Sequence, residues 1–304
     1  MIRIATRKSP LAIWQAEYVQ RLLLAYHPHL SVELLPLTTR GDQILEDSLV
    51  KFGGKNLFVK ELENALLNGQ ADIAVHSMKD VPVALIDELI LPVVCQRTEP
   101  HDAFVSNKYT NFDELPSGAI VGTSSLRRQC QLMFLRDDLN TQALRGNINT
   151  RLAKLDAGEF DAIILAAVGL QRLGLSDRIQ QIFDFDQMLP AAGQGALAIE
   201  CRIGDQPTLD LISALNHEQT AICVQAERQI CDILGGNCHT PVAAYAEIFQ
   251  DELIVKGLVG YPDGSEIVRS QVSGTIAQAK DLGTQVGQQL LQQGGAAILQ
   301  SLYP

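Results

Sequence analysis

The hydrophobic pattern of the N-terminal part of the chain predicts a strand, a helix and a second strand. Residues 2–6 and 32–37 are short, largely apolar segments that are predicted as strands. Between them, Ser9 and Pro10 precede apolar residues at helical spacing, which is typical of an N-cap followed by the first position of a helix. The polar, glycine-containing segment 38–57 has no sustained period, and a loop of that length inside a compact domain is usually functional or disordered.

Polar clusters follow the strands predicted in the middle of the chain, at the points where a strand ends and a helix begins. The pairs of strand and cluster are 71–76 with 77–82, 119–122 with 123–128, and 142–144 with 145–151. Strands that alternate with helices predict an α/β fold with a mostly parallel sheet, in which ligands bind beyond the carboxyl ends of the strands.

The pattern changes after Asn216. A helix is predicted at 219–233, then three strands joined by short turns, and a final helix at 276–291. We interpret this part of the chain as a separate, small α+β domain.

Length and composition restrict the class of protein. The chain has 304 residues, 46% of them apolar, which is enough for two or three domains with buried cores. The longest uncharged apolar run, 162–170, is far shorter than the roughly 18 residues that span a bilayer. The first residues, with Arg3, Arg7 and Lys8, lack the apolar region of a signal peptide, so we expect a cytoplasmic protein with no membrane partner.

The six cysteines are scattered without a CxxC pair, which in a reducing compartment argues against a disulfide framework. Cys231, Cys238 and His239 fit no common zinc spacing, so we expect no metal site. Cys238 differs from the other cysteines because it lies in a glycine-rich turn, where a thiol is accessible and can act as a nucleophile or covalent anchor. The alternative is an incidental loop cysteine.

The segment 122–128, Gly-Thr-Ser-Ser-Leu-Arg-Arg, is typical of an anion site. It combines a predicted helix N-terminus with hydroxyl groups and two guanidinium groups, which favours a bound carboxylate or phosphate. Two arginines in the first turn of a helix oppose its dipole and therefore need compensation. The alternative is that Ser124 or Ser125 is only an N-cap and that both arginines are solvated.

The arginines are unevenly distributed in an acidic chain. A net charge of −11 argues against nucleic acid as a partner, yet seven of the fifteen arginines fall between Arg127 and Arg178. The segment 145–151 begins and ends with arginine, and Arg7 and Arg172 lie beside predicted strand-to-helix turns. Because arginine binds carboxylates bidentately, we expect a small ligand with several carboxylates.

Asp80 is a candidate catalytic residue. It follows Lys79 at the end of a predicted strand, where a carboxylate can act as a general acid or base and stabilise a cationic intermediate. The alternative is an ordinary turn residue before Val81 and Pro82. His76, on the same strand, is interpreted as a core histidine.

Six motifs, taken in order, closely resemble those of the porphobilinogen deaminase family. They are ATRKSPLA at 5–12, GGKNLFVKELE at 53–63, AVHSMKDVP at 74–82, VGTSSLRRQ at 121–129, LRGN at 144–147 and PAAGQG at 190–195. The likeness extends from Ile2 to the C-terminal helix.

The resemblance implies a transferase of porphyrin and heme biosynthesis. Four molecules of porphobilinogen would be condensed head to tail, with release of ammonia at each addition, into the linear tetrapyrrole hydroxymethylbilane. It also implies a covalently bound dipyrromethane cofactor, made by the protein from its own substrate. Each porphobilinogen carries an acetate and a propionate, so its two carboxylates match the small polycarboxylate ligand that the arginines predict.

The resemblance further implies three α/β domains, the first two arranged like a periplasmic binding protein around a cleft, and the third a small α+β domain. The expected bounds are 1–95 with 190–214 for domain 1, 96–189 for domain 2, and 215–304 for domain 3. The length of segment 38–57, its lysines Lys51 and Lys55 and the paired Gly53 and Gly54 suggest a lid over the cleft. We expect porphobilinogen as the small-molecule partner, and a monomer.

Site residues follow from the matching motif positions. The acid/base residue is Asp80, and the thioether anchor of the cofactor is Cys238, although Asn237 and His239 stand where many members have Gly and Gln. The other expected cofactor contacts are Lys79, Asp80, Thr123, Ser125, Arg127, Arg128 and Gly146. The expected substrate contacts are Arg7, Ser9, Arg145, Arg151 and Arg172.

Two other classes of protein share part of this pattern. A two-lobed binding protein for a small polyanion would need the arginines but neither Asp80 nor Cys238. The sensor domain of a transcription regulator would be accompanied by a helix-turn-helix or a basic segment, and the sequence shows neither.

Overall fold

A computed structural model describes residues 1–39, 59–236 and 240–302. Cys238 and most of the predicted lid, residues 40–57, lie outside the described residues. Within them, no helix combines the length and the hydropathy that crossing a bilayer requires.

The described residues form strands and helices in the following order. The strands are β1 (Ile2–Arg7), β2 (Val32–Leu37), β3 (Ile73–Ser77), β4 (Leu89–Val94), β5 (Asp102–Val105), β6 (Ile120–Gly122), β7 (Asn140–Gln142), β8 (Ala162–Ala166), β9 (Gln181–Ile182), β10 (Leu197–Arg202), β11 (Val242–Phe249), β12 (Glu252–Gly260) and β13 (Ile267–Thr275). The α-helices are α1 (Pro10–Tyr26), α2 (Lys60–Leu67), α3 (Leu126–Leu135), α4 (Ile148–Asp156), α5 (Ala167–Arg172), α6 (Gln206–Ile212), α7 (Glu218–Ile233), α8 (Ala279–Leu290) and α9 (Ala296–Ser301).

The chain divides into two compact units, each formed from two segments. The first contains Met1–Thr98 and Gly195–Ala221, and the second contains Glu99–Gln194 and Ile222–Pro304. The sheet of the first unit has the order β2-β1-β3-β10-β4, and β10 runs antiparallel to both of its neighbours. The predicted, mostly parallel sheet is therefore confirmed here.

Local sequence explains the start of the first unit. Ser9 caps α1, its Oγ accepting a hydrogen bond from the backbone N–H of Ala12 at 3.4 Å, and Pro10 occupies the first helical turn as predicted. Val19 and Leu23, four residues apart on α1, are fully buried against the sheet core. This packing holds α1 beside the sheet, next to the short turn that follows Arg7 at the end of β1.

The second unit contains two sheets. The middle sheet has the order β7-β6-β8-β5-β9, with β5 as its single reversed strand, and the C-terminal sheet has the antiparallel order β11-β12-β13. The α/β class with a small α+β C-terminal part is thus confirmed. The rings of Phe185 and Tyr245 pack with their centroids 4.1 Å apart, joining the segment after β9 to β11.

The C-terminal helix differs from the single element predicted at 276–291. A 3-10 turn with a Thr275 and Gln278 capping box precedes α8, and a π-turn at Leu291–Gly295 leads into α9. Gly294 has φ 117° at this π-turn, a conformation that favours glycine, so the chain continues as a second short helix.

Candidate active site

The carboxyl ends of three neighbouring parallel strands meet at one edge of the middle sheet. β6 lies between β7 and β8 in this sheet. Along the chain β6 is followed by α3, β7 by α4 and β8 by α5. The backbone N–H of Thr123 also donates to the carbonyl of Gln142, 2.8 Å away, so the loops after β6 and β7 are directly bonded. The polar segments 123–128 and 145–151 therefore lie beside each other at this edge.

The N-terminus of α3 offers unpaired donors. Ser125 is its N-cap, with Oγ accepting from the backbone N–H of Arg128 at 3.4 Å. The Thr123 hydroxyl accepts from the N–H of Ser125 at 3.2 Å. No hydrogen bond within the described chain uses the N–H of Leu126 or Arg127, so this ten-residue helix retains two donors and its positive dipole end for an anion.

Asp102 supplies the compensation that the two arginines of α3 need. Arg127 donates from Nη1 to Asp102 Oδ2 at 2.7 Å and to the carbonyl of Leu189 at 2.8 Å. Arg128 donates from Nη2 and Nε to Asp102 Oδ1 at 2.7 and 3.1 Å. Burial alone raises the pKa of the Asp102 carboxyl, but the charges and hydrogen bonds of both arginines outweigh it and hold the pKa well below its usual range.

This pairing shows that the two arginines are not simply solvated, which was the alternative interpretation of the sequence. Asp102 itself was missed by the sequence analysis. The only local signal is an aspartate at the start of the apolar strand Asp102–Val105, opposite Ala166 at the end of β8. A carboxylate in such a buried position requires a charged partner.

The loop after β7 carries a second set of candidate residues. Ser124 Oγ donates to the carbonyl of Leu144 at 3.0 Å, which ties Arg145 to the loop at the start of α3. Arg145 is half-buried and makes no hydrogen bond or ion pair with the described residues. Arg151 Nε donates to the carbonyl of Gly146 at 2.7 Å, and Gly146 has φ 110°, where a side chain is strained.

Several of the seven arginines between Arg127 and Arg178 form ion pairs with aspartates of the protein. Besides the pair on Asp102, Arg136 binds Asp138 and Arg178 binds Asp156 through contacts of 2.7 and 2.6 Å. Arg136 and Arg178 therefore have acidic partners within the protein, and neither belongs to the predicted cofactor or substrate contacts. Arg172 is the last residue of α5, the helix that follows β8.

The first unit places its candidate residues at the carboxyl ends of β1 and β3, which are neighbouring parallel strands. Arg7 ends β1, and Ser9 caps the next helix. Lys79 and Asp80 lie in a 3-10 turn after β3. Asp80 is exposed, and no hydrogen bond or ion pair with the described residues occupies its carboxylate. It is therefore available to a substrate.

Buried contacts hold that turn in place. The amide of Gln15 on α1 donates to Ser77 Oγ at 2.8 Å, and Met78 is buried. His76 Nε2 lies 3.0 Å from Glu200 Oε2, and both side chains are almost fully buried. The interpretation of His76 as a core histidine is confirmed, and the rigid base leaves Asp80 as the exposed group of the turn.

Comparison with known proteins identifies the family. The family model described as porphobilinogen deaminase, dipyromethane cofactor binding domain, matches residues 2–210, and the one described as porphobilinogen deaminase, C-terminal domain, matches residues 221–292. The chain belongs to the porphobilinogen deaminase family. The enzyme is a transferase, hydroxymethylbilane synthase, that polymerises porphobilinogen into hydroxymethylbilane with a dipyrromethane cofactor. The expected family, reaction and cofactor are confirmed.

Solved structures that match part of the chain have low sequence identity to it. The methionine-binding protein MetQ is 15% identical, with a TM-score of 0.45, covering 75% of this chain and 91% of its own. A periplasmic substrate-binding protein of an ABC transporter from Coxiella burnetii is 16% identical, with a TM-score of 0.45 and coverages of 71% and 92%. A methionine-bound nutrient-binding protein from Burkholderia cenocepacia is 14% identical, with a TM-score of 0.43 and coverages of 71% and 91%.

The donors at the start of α3 fit a dipyrromethane, whose side chains end in carboxylates. Arg127 donates to protein only from Nη1, so its Nε and Nη2 are without an acceptor among the described residues. The free N–H groups of Leu126 and Arg127 and the guanidinium of Arg145 complete a set that contains donors only. Such a set binds carboxylates by charge-assisted hydrogen bonds. The expected anchor, Cys238, lies outside the described residues.

Proposed function

We propose that Asp80 is the acid/base residue of the polymerisation. Its carboxylate would handle the proton of the aminomethyl group of porphobilinogen as the carbon–nitrogen bond breaks and ammonia leaves. The same carboxylate would stabilise the positive charge left on the pyrrole. The single observation that carries this role is the exposure of Asp80, with no protein partner among the described residues, on a turn that Gln15 and Met78 hold in place.

We infer that the remaining site residues divide between cofactor and substrate. When bound, the dipyrromethane provides the pyrrole from which the chain grows. The residues proposed to hold it, besides Asp80, are Lys79, Thr123, Ser125, Arg127, Arg128 and Gly146. The residues proposed to bind porphobilinogen are Arg7, Ser9, Arg145, Arg151 and Arg172. Except for Arg151, which lies within α4, and Arg172, which ends α5, these residues lie at or shortly after the carboxyl ends of parallel strands, where α/β proteins bind ligands.

We propose Cys238 as the covalent anchor of the cofactor. The other thiols are poorly suited to this role, because burial raises the pKa of Cys130 and Cys231 to about 12 and that of Cys201 to about 11. Cys95 and Cys223 are buried as well. A thiol must ionise and be accessible to act as a nucleophile, so these five are expected to stay unmodified.

We also propose that the enzyme acts as a monomer in the cytoplasm, with three domains at 1–95 with 190–214, 96–189 and 215–304. The division at Thr98 and at Gln194 into compact units is close to the first two of these boundaries. Size-exclusion chromatography with light scattering tests the monomer, for which the mass expected is 33.2 kDa plus the cofactor.

The test of the proposed roles combines intact-protein mass spectrometry with turnover of porphobilinogen. The native enzyme is expected to carry the mass of two pyrrole units, and Cys238→Ser to lack it. Asp80→Asn should retain the added mass and lose about 100-fold or more in kcat, since general acid–base groups contribute factors of that order.

Asp87→Asn, an exposed aspartate in the same unit, is the matched control and should turn over normally. Near-native kcat in Asp80→Asn would contradict the catalytic role. A mass excess that persists in Cys238→Ser would contradict the anchor.

A further inference from the structure

One buried carboxylate serves two guanidinium groups at the start of α3. Asp102 is 0% exposed, and Arg127 and Arg128 are 4% and 6% exposed. The only ion pairs of these arginines within the described chain are those to Asp102. The three charges sum to one net positive charge in a buried place, where an unbalanced charge is costly and a bound anion is correspondingly favoured.

The two guanidinium groups are used differently. Arg128 donates from Nε and Nη2 to Asp102 and from Nη1 to the carbonyl of Ile164 at 3.0 Å, so each of its nitrogens has an acceptor. Arg127 donates from Nη1 alone. The Nε and Nη2 edge of Arg127 is therefore the one that can bind a carboxylate through two parallel hydrogen bonds.

A third donor fixes the Asp102 carboxylate. Gln194 Nε2 donates to Asp102 Oδ1 at 3.0 Å and to the carbonyl of Pro100 at 2.6 Å, and Gln194 is 1% exposed. Both oxygens of Asp102 thus accept hydrogen bonds from rigid, buried groups. Gln194 belongs to the 190–195 motif. No residue of that motif is among the proposed catalytic, cofactor-binding or substrate-binding residues.

We propose that Asp102 is a positioning residue for recognition of the cofactor. It holds both arginines so that the Nε and Nη2 edge of Arg127 stays available. Its negative charge also leaves the cluster of Asp102, Arg127 and Arg128 with one net positive charge, which matches one bound carboxylate. This inference rests on the proposed role of Arg127 and Arg128 as cofactor ligands. Because Asp102 is fully buried behind the two arginines, it is given a positioning role and no contact with cofactor or substrate.

Loading of the cofactor tests the proposal. Full-length chain produced without porphobilinogen is mixed with it, and the fraction that carries the cofactor mass is followed over time. Asp102→Asn is expected to load about tenfold more slowly, the order of one charge-assisted hydrogen bond. It should also become more sensitive to inhibition by sulfate, because the buried cluster then carries two positive charges.

Sulfate sensitivity separates positioning from a merely structural effect, since a partly unfolded chain loads slowly at every sulfate concentration. Asp138→Asn removes the partner of Arg136 in the same unit and is the control. It should load like the native chain, with unchanged sensitivity to sulfate. Native loading and sulfate sensitivity in Asp102→Asn would overturn the proposal.

Two further variants complete the test. If Asp102→Asn does not fold, the loading rate of Gln194→Leu tests the role of Asp102 instead, because this variant removes one hydrogen-bond donor to Asp102 without changing the charge. Slower loading supports the role of Asp102, and native loading overturns it. Arg127→Gln tests the proposed cofactor contact on which this inference rests: native loading in Arg127→Gln contradicts the role of Arg127 as a cofactor ligand. Slow loading there, with native behaviour of Asp102→Asn, contradicts only the role of Asp102.

Discussion

The hydroxyl of Ser124 donates a hydrogen bond to the carbonyl oxygen of Leu144 across 3.0 Å. It joins the loop before α3 to the residue that precedes Arg145, so the spacing between two proposed ligand-binding segments depends on it. The neighbouring bond from Thr123 to Gln142 joins the same loops one step closer to the sheet. The two segments therefore form one rigid edge.

Ser124→Ala should loosen this edge. Loss of the hydrogen bond is expected to lower the free energy of unfolding by about 1 kcal/mol and to raise the KM for porphobilinogen by about two- to tenfold. Steady-state kinetics and thermal unfolding measure both. Ser213→Ala, which removes a similar hydroxyl-to-carbonyl bond to Asp210 in the first unit, should leave KM unchanged. An unaltered KM in Ser124→Ala would show that the loops are held without this bond.

Arg145→Gln should affect binding and not stability. Because Arg145 has no partner among the described residues, its replacement breaks no described contact of the protein. We expect a KM about tenfold higher, the order of one charge-assisted hydrogen bond, and an unchanged midpoint of thermal unfolding.

Arg136→Gln is the matched control for that variant, since Arg136 is bound to Asp138. It should show the reverse behaviour, with a lower midpoint and a normal KM. A lower midpoint with normal KM in Arg145→Gln would assign that arginine to the fold and remove it from the site.

Gly146→Ala should be destabilising for two separable reasons. Gly146 has φ 110°, and an added Cβ would lie 2.8 Å from Cβ of Thr150. Gly158 has φ 81° with nothing within 4 Å of an added Cβ, so Gly158→Ala reports backbone strain alone. We expect Gly158→Ala to cost about 1–2 kcal/mol and Gly146→Ala to cost more. Equal losses in urea unfolding would show that Thr150 moves aside freely.

Glu63→Gln should raise stability near neutral pH. Burial raises the pKa of Glu63 above its ordinary value of 4.5, and the charge of Glu200 raises it further, while His76 and Lys60 act in the opposite direction. A raised folded pKa means that the stabilising contribution is complete below the unfolded pKa and is lost as the pH rises through the folded pKa. The neutral amide should remove this loss.

The measurement is the midpoint of thermal unfolding between pH 4.5 and 8. Glu63→Gln is expected to exceed the native protein increasingly as the pH rises, by about 2–4 °C for each kcal/mol recovered. Glu88→Gln, an exposed position in the same unit, should follow the native curve. Parallel curves for Glu63→Gln and the native protein would show that Glu63 does not titrate in this range.

Local sequence determined much of the fold. The Ser9 and Pro10 start of α1, the strand Val32–Leu37 and the antiparallel strands after residue 241 were predictable, because caps and hydrophobic periodicity act within a few residues. The ordered motifs likewise indicated the family. The sequence also located the loops at strand ends, since alternating strands and helices restrict where a ligand can bind.

Tertiary structure alone decided which of the candidate arginines are already occupied. The partner of Arg127 and Arg128 is Asp102, 25 and 26 residues away, and Gln194 reaches it from a separation of 92 residues. Arg136 and Arg178 resemble the other arginines in sequence, yet each is bound to an aspartate. Such contacts depend on the order and register of strands, which no local pattern encodes, and burial then makes the pairing of the charges obligatory.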